Sequence, residues 1–254
     1  TTRQPTPPFF ALPQEKPRME LEKCLHQQGF GSRKVCRALI AAGRVAVAGG
    51  VCRDAKAPLA EEGAVFSVDG ENWTTRRAVY LLLHKPAGYE CSRAPQHHRS
   101  VLTLLPQPLL ARGVQPVGRL DADTTGLLLC ADDGAFIHHF TSPRRHVPKR
   151  YRVTTARPID AALIAALQTG VQLHDEPAPL AALACEARDD YTLALTLGEG
   201  KYHQVKRMVA AAGNHVAALH REAMGGLILP DTLPEGGWRY LTPADFAALG
   251  WAAT

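Results

Sequence analysis

Hydrophobic residues recur at helical spacing in Met19-Glu20-Leu21-Glu22-Lys23-Cys24-Leu25. They do so again from Arg33 to Ala42, which places Val35, Leu39 and Ile40 inward and Arg33, Lys34 and Arg37 outward. Between them, Gly29-Phe30-Gly31-Ser32 reads as a turn ending in an N-cap serine. The period then shortens to two. Residues 43–51 predict a strand, a Gly-Gly turn and a second strand, and Ala64 to Val68 predicts a further short strand. Residues 70–77 are polar and predict a linker.

Beyond residue 78 the apolar runs lengthen. Val79 to Tyr89 predicts a buried strand followed by a Pro/Gly turn at His84-Lys85-Pro86-Ala87-Gly88. Asp132-Asp133-Gly134 caps a short helix through Phe140, and Arg150 to Thr155 alternates as a strand. Asp160 to Gln168 predicts a capped amphipathic helix ended by Gly170, and Tyr191 to Leu197 a further strand. Tyr202 to Ala212 predicts a helix stopped by Gly213-Asn214, with a strand over His215 to His220. Strands outnumber helices, so the expected class is α+β, with a mixed, mainly antiparallel sheet flanked by helices around a central cleft. The expected organisation is a flexible proline-rich tail (1–17), a small domain (18–69), the linker (70–77) and a large domain (78–254).

The chain has 254 residues, with 29 Lys+Arg against 24 Asp+Glu and 11 His, a balance that leans toward a polyanionic partner. The six cysteines form no CxxC pair and no zinc spacing with His, so they read as reduced thiols in a cytoplasmic protein without a bound metal. No apolar run reaches membrane-spanning length, and residues 1–17 hold no secretory h-region. The start at Thr1, without an initiator Met, is expected of a trimmed chain.

The candidate chemistry lies in Gly118-Arg119-Leu120-Asp121-Ala122-Asp123-Thr124-Thr125-Gly126-Leu127-Leu128-Leu129. A lone Asp in a loop is ordinarily a turn or cap residue. Asp121, however, stands two residues from Arg119, and in an extended segment both face one side. A carboxylate beside a cation can serve as nucleophile or base. Asp123, beside the Thr-Thr turn, is expected to cap it. His138 to Arg152 is basic and free of acids, with Arg144, Arg145, Lys149 and Tyr151. Lys201 to Arg221 also lacks acids. There, Lys206 and Arg207 can present one cation to Asp121 and the other to phosphate, and spacing leaves open which does which.

Two resemblances follow from these strings. The pattern Gly29 to Val51 is similar to the alpha-L RNA-binding domain, a likeness that implies phosphate contacts by Ser32, Arg33, Lys34, Arg37 and Arg44. Glu20 departs from it, standing where that family commonly has a basic residue. The string GRLD followed by TTGLLL, with Lys149-Arg150-Tyr151 and KYHQVKRM, resembles pseudouridine synthases of the RsuA type. That likeness implies an enzyme that isomerises a uridine in small-subunit ribosomal RNA, without cofactor and as a monomer. Asp121 would be its catalytic carboxylate, with Arg119 beside it, Lys206 as the paired cation and Tyr151 stacked on the target base. Lys85, Arg144, Arg145, Lys149 and Arg207 would meet RNA, Lys85 alternatively bracing the catalytic loop. His84 stands where the family has Asn. Met224 to Leu229 would line the pocket. The alternatives are a synthase acting on large-subunit RNA and a non-catalytic ribosome-assembly factor.

Overall fold

The computed structural model describes residues 17–252, so the tail expected over 1–17 lies, but for its last residue, outside the described residues. The chain divides into two compact units, with the break between Arg77 and Ala78.

The first unit begins with strand β1 (Arg18–Glu20), helix α1 (Leu21–Gln27) and helix α2 (Arg33–Ala41). Strands β2 (Val45–Val47), β3 (Gly50–Val51), β4 (Pro58–Ala60), β5 (Val65–Val68) and β6 (Glu71–Thr74) follow. The Ser32 hydroxyl accepts from the Val35 amide and caps α2, as its sequence position predicts. The buried face of α2 is Cys36 and Ile40, while Val35 is exposed, contrary to expectation. Val35 stands one position before Cys36, and a helix turns about 100° per residue, so both cannot face the core. Leu21, Leu25, Cys36, Ile40, Val45 and Phe66 close that core.

Residues 70–77, read as a linker, instead carry β6. Asp69 and Gly70 both adopt positive φ (53° and 83°) and fold β6 back onto β5 as a tight hairpin. The polar residues Glu71 and Asn72 are exposed on this edge strand, which is why the segment read as a loop.

The second unit comprises β7 (Tyr80–Lys85), β8 (Tyr89–Glu90), β9 (Arg99–Ser100), α3 (Gln107–Ala111), β10 (Gln115–Pro116), β11 (Thr125–Ala131) and α4 (Gly134–Thr141). Then come β12 (Lys149–Thr155), α5 (Ala161–Thr169), β13 (Ala184–Ala187), β14 (Thr192–Leu197), α6 (Gln204–Ala211), β15 (Val216–Met224), β16 (Leu227–Ile228), β17 (Trp238–Tyr240) and α7 (Pro243–Leu249). The main sheet has the order β13-β14-β12-β15-β11-β7-β17, with β10 on β11 and β16 on β15. Among the described residues β11 and β15 run parallel and its other pairings are antiparallel, which is the mixed, mainly antiparallel sheet the patterns predict.

Both faces of the sheet are covered. Leu81 and Leu83 of β7, with Leu128 and Cys130 of β11, join the core under α5 and α6. Leu82, Leu127 and Leu129 join the core that holds Phe136, Phe140 and Leu249 of α4 and α7. A strand buried on both sides needs a continuous apolar run, which is how β7 and β11 read. Asp133 and Asp160 cap α4 and α5.

Candidate active site

Residues 118–124 lead into β11 at the centre of the sheet, between β7 and β15, and three sets of contacts fix their path. Thr124 N–H donates to the Asp121 carbonyl at 3.1 Å, closing a turn. Gly88 N–H donates to the Ala122 carbonyl at 2.7 Å. Beneath them the Lys85 ammonium donates to the carbonyls of Thr124 (2.7 Å), Pro86 (3.0 Å) and Ala122 (3.1 Å). Lys85 is fully buried, and burial pushes its pKa below the usual lysine value, against the pull of Asp123 and Asp121. Of the two roles the sequence left to Lys85, meeting RNA or bracing the catalytic loop, the geometry fits the second, because its three donors are spent on main-chain oxygens.

Asp121 emerges at a cleft of about 510 Å³ whose lining includes Arg119, Lys149, Tyr151, His203, Lys206, Arg221 and Met224. Its Oδ2 lies 3.0 Å from Lys206 Nζ and its Oδ1 3.3 Å from His203 Nε2. The structure thus turns Lys206, rather than Arg207, toward the carboxylate. Arg207 pairs with Asp175 and donates to the Tyr202 carbonyl at 3.2 Å, so its expected RNA contact is not supported. Asp123, expected to cap the turn, instead receives Lys206 at 2.7 and 2.9 Å. Burial works to lower the Lys206 pKa, but the hydrogen bonds it donates to Asp123 and Asp121 outweigh it, so the net shift is upward. Lys206 is a full cation at neutral pH.

Tyr151 is buried on β12 with its cross-strand partner Arg221 on β15. Lys149 donates to the Val147 carbonyl at 2.9 Å, and burial next to Arg221 pushes its pKa down to about 8. Arg119 lines the cleft with an exposed side chain. Arg144 and Arg145 are exposed on a 3-10 turn that follows α4. In the first unit Arg33, Lys34 and Arg37 are exposed, Arg37 pairing with Glu22 at 3.2 Å and Arg44 with Asp69 at 2.6 Å.

Two residues of the cleft had no role in the sequence reading. Arg221 is buried and donates through Nε to the Leu127 carbonyl at 2.7 Å, while its Nη2 has no hydrogen-bond partner among the described residues. Its place is made by Gly126 (φ 108°): a Cβ there would come within 2.3 Å of the Arg221 carbonyl oxygen. The signal in the sequence was a charge on an inward face otherwise made by Leu219 and Ala223. His203 adopts a left-handed conformation (φ 47°, ψ 32°), which costs a non-glycine residue about 1–2 kcal/mol. Such strain persists where the surroundings hold it in place. Among the described residues no group of three or more His, Cys, Asp or Glu is placed to hold a metal ion.

The chain matches the family model described as RNA pseudouridylate synthase over residues 79–211 and the S4 domain over residues 19–65. It is 40% identical over 233 residues to the ribosomal small subunit pseudouridine synthase A of Salmonella typhimurium, covering 91% of this chain and 100% of that protein. The proteins of the same name from Escherichia coli K12 and Haemophilus influenzae are 40% and 35% identical, over 91% of this chain and 100% and 99% of theirs. A solved structure described as a pseudouridylate synthase superposes with a TM-score of 0.64 at 35% identity, covering 91% of this chain and 99% of that one.

Proposed function

This chain belongs to the RNA pseudouridylate synthase family, and on that footing we propose that it isomerises a uridine of small-subunit ribosomal RNA through the carboxylate of Asp121. The observation that carries the reading is the placement of Asp121 at the cleft, 3.0 Å from the Lys206 ammonium. The choice of small-subunit RNA follows the names of relatives that align over almost their whole length.

The reaction breaks the N1–C1′ bond of uridine, turns the base and forms a C5–C1′ bond. The hydrogen at C5 leaves as a proton and N1 gains one, so atoms balance without oxidant, reductant or co-substrate. Asp121 engages the nucleoside at the sugar carbon, as a base on the sugar, or at the pyrimidine ring. Each route uses an unhydrated carboxylate held against a fixed cation. Lys206 supplies that cation, Lys85 holds the loop, and Tyr151 with Met224 offers the apolar wall that a base needs once it leaves its stack. The S4 domain carries the exposed Arg33 and Lys34 for phosphates, and Arg119, Arg144, Arg145 and Lys149 extend the basic surface beside the cleft.

Carbodiimide mapping with primer extension tests the reading. Wild type and Asp121→Asn are each incubated with unmodified small- and large-subunit RNA. A new stop in small-subunit RNA with wild type alone is the expected result. A stop in large-subunit RNA would move the substrate, and no stop in either, despite tight binding, would favour an assembly factor.

A further inference from the structure

Among the described residues Tyr202 is the most solvent-exposed of the large apolar side chains, at 70%, yet it is held from several sides. Its ring lies flat on the His203 imidazole, with centroids 3.9 Å apart and 17° between planes. Lys201 on one side pairs with Glu176. Arg207 on the other pairs with Asp175 and donates to the Tyr202 carbonyl at 3.2 Å. The turn at residues 174–176 thus clamps the segment that carries the ring. His203 beneath it reaches Asp121 at 3.3 Å, and both neighbours of Tyr202 line the cleft. One face of the phenol ring is covered by imidazole, and the rest of the side chain stands largely in solvent.

A uridine that swings into the cleft leaves the base beside it without a stacking partner on one side. A rigid aromatic face recovers that loss, and because it is already ordered it binds at little further entropic cost. We propose that the open face of Tyr202 is a stacking subsite for an unpaired nucleobase adjoining the target uridine. The ordered stack then runs from that base through Tyr202 and His203 to the Asp121 carboxylate. This subsite rests on the reading of the cleft as a uridine isomerase site, and it assigns Arg207, Asp175, Lys201 and Glu176 the task of holding the platform.

The test titrates the full chain with unmodified small-subunit ribosomal RNA, comparing wild type with Y202F, Y202L and Y202A. The expected result is that Y202F binds within about two-fold of wild type, whereas Y202L and Y202A bind about ten-fold more weakly, the scale of one stacked base. The ratio is expected to hold from low to high salt, because an uncharged ring releases no counterions. Wild-type affinity in Y202A overturns the subsite. So does equal loss in Y202F, which would make the hydroxyl the contact, or recovery in Y202L, which would make bulk against His203 the cause. A fall in rate at saturating RNA with unchanged affinity would make Tyr202 a prop for His203 and likewise overturn it. Binding is read without turnover, so a wild type that forms no pseudouridine would refute the isomerase reading and still leave the Tyr202 comparison decided.

Discussion

Lys85 and Thr124 are joined by a buried hydrogen bond of 2.7 Å from an ammonium to a main-chain oxygen, directly under the loop that presents Asp121. Lys85→Met would leave the Thr124, Ala122 and Pro86 carbonyls without this donor. The expected cost is on the order of 3 kcal/mol, read by urea unfolding. Activity is expected to fall with loop order, while the salt dependence of RNA binding stays as in wild type. A slope reduced by about one unit would instead put Lys85 on a phosphate.

Asp121 and Lys206 define the second expectation. Asp121→Asn should reduce product formation by on the order of 10³-fold or more, with RNA affinity within a few-fold. Lys206→Met should lose about 10²-fold at saturating RNA, the scale of removing one preorganised charge, and Lys206→Arg should recover part of it. Loss of RNA binding in Asp121→Asn would make the residue structural.

Much of the fold was readable because its local signals agree. Ser32, Asp133 and Asp160 stand at caps, and β7 and β11 are apolar without interruption because both faces are buried. The linker reading failed at β6 because an exposed edge strand can be as polar as a loop. At the site, Asp121 and Lys206 stand 85 positions apart, and their meeting depends on α6, which carries Lys206, packing against β15, the parallel neighbour of β11. Helical angle alone could not choose between Lys206 and Arg207; Asp175, on a distant loop, takes the second. Lys85 was left between RNA contact and bracing the loop because a lysine ending an apolar strand looks like a surface residue until three carbonyls are seen around it.

Tyr151 is both a wall of the cleft and part of the core, with 7% of its surface exposed. Tyr151→Ala should therefore cost about 3–5 kcal/mol of stability as well as activity, so loss in that variant alone decides nothing. Tyr151→Phe keeps the ring and is expected to retain appreciable activity, while Tyr151→Leu fills the core without an aromatic face and should lose most of it. Equal activity in the Phe and Leu variants would defeat the stacking role.

A pH test isolates the α7 cap. Hydrogen bonds from Arg239 foremost, then from Thr242, hold the Asp245 carboxyl down to about 2 from 3.8. A depressed carboxylate stabilises the fold above its unfolded value, and the contribution is lost as pH falls through the folded one. Asp245→Asn should thus be about 2 kcal/mol less stable than wild type at neutral pH. The difference should shrink as pH falls from 3.8 toward 2, measured by thermal unfolding across that range. A gap that does not depend on pH would mean the carboxyl's charge is not what stabilises the cap.

Arg33 and Lys34 open α2 directly after its Ser32 cap, in a first turn that holds no acid. The N-terminus of a helix carries partial positive charge, so cations there oppose the helix dipole by a few tenths of a kcal/mol each, about 0.3–1 at most. Fold stability alone disfavours that arrangement, and a bound phosphate relieves it by meeting both the side chains and the helix end. Arg44 differs, since its guanidinium is already engaged by Asp69 through two hydrogen bonds of 2.6 Å. The double variant R33A/K34A should therefore lower the slope of log affinity against log salt by about 1.5, the sum for two phosphate contacts. R44A should change it by less than one contact's worth. Filter binding to small-subunit RNA over a salt series measures both. An unchanged slope in R33A/K34A would remove α2 from the RNA interface, and a larger effect from R44A would move that interface to the β2 side of the domain.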